Sequence, residues 1–157
     1  MAENRCMEGS KEVKKAGRTA LSWPKEFRDN PEPLQQLRKS LKLGPGRIVS
    51  NGQLFLLAAV LAFNAGKIAP EKVPTANNSV RVDDLQDFHR RVFEAIAVFT
   101  QQSRKVLLTE DEVFDIAERY AAEGLKMLFA EKEKRTSEDF AYYVSSEIYS
   151  AIKKNAP

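Results

Sequence analysis

Ten consecutive apolar residues, Leu54 to Phe63, stand in an otherwise strongly charged chain. The run is longer than a usual buried strand of about 4–8 residues and half the roughly 20 needed to span a membrane as a helix. Wound as a helix, Leu54, Phe55, Leu57, Ala58, Leu61 and Ala62 are apolar on nearly all sides. Such a helix belongs in the middle of a core, with amphipathic elements packed around it. Ser50 or Asn51 can cap its start and Gly66 can stop it, which predicts a helix to about residue 65.

The rest of the chain supplies those amphipathic elements. Asn30-Pro31-Glu32-Pro33 is a helix start, followed by Leu34, Leu37 and Leu41 on one stripe and a stop at Gly44-Pro45-Gly46. Residues 66–80, with Pro70, Pro74 and the polar run Asn77 to Ser79, read as a loop long enough to be a contact region. Asp83 or Asp84 opens the next helix, whose Leu85, Phe88, Val92, Ile96 and Phe99 repeat at helical spacing beside Phe93. Thr109 and Glu112 have the spacing of a capping box, and Val113 to Leu128 continue as a helix to about Lys132. Thr136 or Ser137 caps a last helix with the stripe Phe140, Val144, Ile148 and Ile152, closed by Lys153 and Lys154 at its negative end. No window alternates apolar and polar strictly, so no sheet is expected, and Val106-Leu107-Leu108 reads as a short extended link. The fold class is all-α: one compact domain of about five helices over 31–157, preceded by a basic N-terminal arm over 1–30. Leu57 and Leu125 are expected in the core.

Charge divides the chain at about the same place. The net charge is +3, but residues 1–47 carry +5 and the remainder −2. A basic arm on a mildly acidic body suits an acidic partner surface or phosphates. Within it, Lys11, Lys14, Lys15 and Arg18 can steer the arm, and the aromatic Trp23 and Phe27 can anchor it on a protein partner. Arg90, Arg91, Arg104 and Lys105 form a second basic group, the candidate nucleic-acid contacts. No secretory signal or membrane-spanning stretch is read, so a cytoplasmic location is expected.

Catalytic chemistry finds little to stand on. A single cysteine, Cys6, excludes an internal disulfide and a cysteine-built zinc site; a single histidine, His89, excludes a multi-histidine metal centre. His89 lies in Asp87-Phe88-His89-Arg90-Arg91, where neighbouring arginines disfavour its protonated form, and reads as a surface or boundary residue. Asp111, Asp115 and Glu118 share one helix face, which could hold Mg²⁺ but reads as an acidic, solvated helix start. Gly44-Pro45-Gly46-Arg47 lacks the Lys-Ser/Thr ending of a phosphate loop. No catalytic residue, metal, cofactor or small-molecule substrate is therefore expected.

The run Leu54–Lys67, the later Val80-Arg81, and Glu118-Arg119-Tyr120-Ala121-Ala122-Glu123-Gly124-Leu125 occur in an order that resembles the small proteins associated with bacterial DNA-phosphorothioation (dnd) gene clusters. The resemblance covers roughly residues 50–130. It implies a place in an antiphage-defence or DNA-processing operon, with no catalytic residues to carry over. The expected function is a noncatalytic accessory subunit bound to a larger nuclease or ATPase subunit. The alternative is a small helical module that contacts DNA through its basic residues. Ala58, Ala59, Ala121 and Gly124 read physically as small residues that let helices approach closely.

Overall fold

A computed structural model describes residues 18–41, 45–74 and 80–154. Lys11, Lys14, Lys15 and Cys6, and with them most of the expected basic arm, lie outside the described residues. The described residues form an all-α fold with six helices and one tiny strand pair. In order they are β1 (Ala20–Leu21), α1 (Lys25–Asp29), α2 (Glu32–Ser40), α3 (Asn51–Asn64), β2 (Val80–Arg81), α4 (Asp87–Gln101), α5 (Glu110–Lys134) and α6 (Ser137–Lys154).

The apolar run is the central helix, α3. The Ser50 hydroxyl accepts the Gln53 N–H at 3.1 Å, and the Gln53 side chain accepts the Ser50 N–H at 2.9 Å, a reciprocal cap. The helix ends at Gly66, whose φ of +66° is the left-handed conformation that glycine adopts most readily. α5, with 25 residues, is the longest element and the principal partner of α3. The two run antiparallel: Ala58 faces Gly124, and Phe63 meets Tyr120 edge to face at 5.5 Å. Leu54, Phe55, Ala58, Ala59, Ala117, Leu125 and Leu128 are fully buried between them. Each large side chain buried there contributes roughly 1.5–3 kcal/mol.

Several boundaries differ from the sequence reading, each for a local reason. Asp83 and Asp84 belong to a short 3₁₀ turn, and α4 begins only at Asp87, where His89 Nδ1 accepts the Gln86 N–H at 3.3 Å. Thr109 makes no side-chain cap on α5; Glu110, Asp111 and Glu112 in the first turn favour that helix start through its dipole instead. Residues 104–108 coil into a 3₁₀ turn rather than an extended link, burying Val106 while Leu107 and Leu108 face outward. At the last helix the expected cap holds: the Thr136 hydroxyl accepts the Asp139 N–H at 3.2 Å.

The expected division at residue 30 needs correction. Trp23 is 3% exposed and packs on Phe55 with ring centroids 5.2 Å apart. Phe27 stacks on Phe129 of α5 at 4.9 Å. Ala20 and Leu21 pair antiparallel with Arg81 and Val80, and Val82 N–H donates to Thr19 at 2.9 Å. Residues 18–29 thus belong to the body. An indole that covers the central helix gains more from burial there than it would in water awaiting a partner.

Candidate functional site

The most distinctive surface lies over α3, between α4 and α6. These two flanking helices barely touch one another. The gap between them holds two apolar cavities. One, of about 370 Å³, is lined by Leu56, Leu57, Phe88, His89, Ala141 and Val144 among others. The other, of about 590 Å³, is lined by Phe63, Val92, Phe99, Ala151 and Ile152 among others. Val60 and Ile148 line both, so the cavities meet in one trough.

The local sequence explains why the trough stays open. α6 carries its stripe at every fourth residue, but only Phe140 and Val144 of that stripe are buried; Ile148 and Ile152 stay partly exposed along the trough. α4 is apolar on more than one face. Phe93, Ile96 and Ala97 enter the core, while Phe88 and Phe99 are 52% and 65% exposed. Leu57, expected in the core, is only half-buried and faces the trough, whereas Leu125 is fully buried as expected. Sequence periodicity placed Phe88, Phe99, Ile148 and Ile152 on the apolar stripes of their helices. The signal it passed over was the width of the apolar arc on α4, too broad for one buried face.

The basic residues singled out from the sequence separate into two kinds. Arg90 is occupied: it donates to the Val82 carbonyl at 3.2 Å and pairs with Glu110 at 3.5 Å. Arg91 is exposed and lines the larger trough cavity. It also borders an adjoining cleft of about 660 Å³, shared with Glu94, Phe99 and Arg104. Lys105 is exposed on the 3₁₀ turn beside Arg104. Arg91 and Arg104 are therefore brought to one cleft, and Arg90 is not free to join them.

Arg18 is likewise committed within the body. Its guanidinium pairs with Asp115 at 2.8 Å and with Glu118 at 2.5 Å. Glu118 is fully buried, and its Oε1 also accepts the Ser22 N–H at 2.5 Å. Burial pushes the Glu118 carboxyl above its ordinary range, while Ser22 and Arg18 pull it back. Lys72 reaches Asp115 at 2.6 Å from the loop after α3. That loop is pinned by Arg119, which donates to the Ala69 carbonyl at 2.7 Å. The carboxylates read as a possible Mg²⁺ face are thus divided: Asp115 and Glu118 hold cations of the chain itself, and Asp111 is exposed. Among the described residues no cluster suited to a metal ion occurs. None of the described helices is long and apolar enough to cross a membrane.

His89 differs from the expected boundary position. It is 3% exposed, with its ring against Phe88 at 4.2 Å. Because Nδ1 accepts the Gln86 N–H, the neutral ring carries its proton on Nε2, which has no partner among the described residues. Burial holds its pKa below the usual histidine value. The ring caps α4.

No family model matches the chain, and no curated protein or solved structure matches it significantly.

Proposed function

We propose that this protein is a noncatalytic accessory subunit of a bacterial antiphage-defence or DNA-processing complex, bound through protein contacts to a larger nuclease or ATPase subunit. The observation that carries the protein-contact part is the exposed apolar seam of Phe88, Phe99, Ile148 and Ile152. Large apolar side chains exposed together along one seam mark an interaction surface. The defence setting comes from the phosphorothioation-associated resemblance alone. The contact surface assigned here is the α4–α6 trough rather than Trp23 and Phe27, which pack within the body.

The test is recovery of the tagged protein from its native host at low and high salt, read by mass spectrometry and by nucleic-acid content. Expected is a larger protein subunit retained at both salt concentrations, because an apolar contact is insensitive to screening. Recovery of nucleic acid alone, lost steeply as salt rises, would favour the DNA-binding alternative through Arg91, Arg104 and Lys105.

A further inference from the structure

We infer that the cavity beside His89, set between the end of α2, the middle of α3 and the starts of α4 and α6, binds a small uncharged molecule with an apolar body and one hydrogen-bond acceptor. The inference goes beyond the accessory-subunit reading and does not depend on it.

A buried donor carries the argument. His89 is 3% exposed and lines this cavity of about 370 Å³. Its Nδ1 accepts the Gln86 N–H, which fixes the ring proton on Nε2. That Nε2–H is buried and makes no hydrogen bond among the described residues. A buried donor without a partner is costly, and each one in a native fold calls for a cause. An enclosed water would need about 2–4 polar partners of its own. The two other polar side chains of the lining are committed locally: the Gln53 side chain accepts the Ser50 N–H at 2.9 Å, and the Ser145 hydroxyl donates to the Ala141 carbonyl at 3.0 Å. An acceptor carried on an apolar ligand satisfies the ring and asks for no further partner.

Size and lining define the rest of the ligand. The volume lies near the lower end of the roughly 300–1,000 Å³ that small-molecule sites occupy, and a mostly apolar wall with a single placed donor is the usual composition of such sites. Leu41, Val49 and Val144 form buried sides, while Phe88 and Ile148 stand partly exposed at the mouth. The Phe88 ring lies 4.2 Å from the His89 ring, and as a surface side chain it can swing aside on entry. Among the described residues the lining includes no Lys, Arg, Asp or Glu. An ionised carboxylate or amine would therefore enter without a counter-charge. The class that fits is a ketone, ester or amide on a hydrocarbon body.

The test uses the full chain, in which His89 is the one histidine, so its imidazole signals in solution NMR need no assignment by mutation. The probes are acetophenone, isopropenylbenzene, which has the same shape with a CH₂ group in place of the carbonyl oxygen, and benzoate. Expected is a saturable shift of the His89 Nε2–H signal with acetophenone and no such shift with the hydrocarbon. Benzoate should bind more weakly than acetophenone by about tenfold or more. The hydrocarbon is the more apolar of the matched pair, so the ratio of the two dissociation constants reports the hydrogen bond, rather than either constant alone. His89→Phe, which keeps a ring but no donor, should move that ratio toward the hydrocarbon by about tenfold. Ala141→Phe fills the cavity without touching His89 and should abolish binding of both, with circular dichroism unchanged. Absence of saturable acetophenone binding, binding that leaves the Nε2–H signal unmoved, a ratio unaltered in His89→Phe, or binding that survives Ala141→Phe would each overturn the inference. The wild-type spectrum and the Ala141→Phe variant decide the matter even if His89→Phe does not fold.

Discussion

Gly124 of α5 lies so close to Ala58 of α3 that a Cβ at position 124 would overlap the Ala58 carbonyl group. The obstacle is backbone on a buried central helix, which cannot swing aside like the end of a flexible side chain. The two helices can approach this closely only because one residue has no side chain and its neighbours Ala58, Ala59 and Ala121 have short ones.

Gly124→Ala is therefore expected to destabilise the fold by about 3 kcal/mol or more, because it forces the two main helices apart. Gly66→Ala is the comparison. Its φ is also unfavourable for alanine, but the space around it is open, so the cost should stay near about 1 kcal/mol. Urea melts of both variants check the pair; equal losses would show that close approach is not what Gly124 provides.

Arg18→Ala should cost about 3–5 kcal/mol near neutral pH, since it leaves the buried Glu118 carboxylate without its cation. The loss should depend on pH. Glu118 already has a raised folded-state pKa, and removal of Arg18 raises it further. A carboxyl of this kind favours the fold while protonated and loses that contribution as pH rises through the folded-state value. The variant should therefore lie closest to the wild type in acid and fall behind as pH increases. Thermal melts across that range measure the slope, and Glu118→Gln in the same background should flatten it.

His89 has the opposite sign. Burial lowers its folded-state pKa, so stability is held above the ordinary histidine value and lost as pH falls through it. Wild type should weaken between about pH 7 and 5, and His89→Gln should show a shallower decline there. Denaturant midpoints at several pH values would register the difference.

Leu125→Ala is expected to cost about 2–5 kcal/mol, as for a fully enclosed leucine. Leu57→Ala should cost about 1 kcal/mol or less, because this half-buried side chain faces the trough.

Much of the helical architecture was legible in the chain itself. The run Leu54–Phe63 marked a buried helix because no arrangement of ten apolar residues leaves a polar face for water. Ser50, Thr136 and Gly66 marked helix ends because their chemistry acts within a few residues of themselves. Small residues at 58, 59, 121 and 124 announced a close helix contact. What the chain alone left open was decided by groups distant in sequence. Arg18 and Glu118 are 100 residues apart, and only their meeting turned a basic leader residue into part of an enclosed ion pair. Trp23 became a core residue because Phe55 was there to cover. Phe99 and Ile152 match buried positions in periodicity, yet remain outside because α4 and α6 do not close over α3. Periodicity sets which side chains share a face of one helix; whether another helix arrives to cover that face depends on packing across the whole domain.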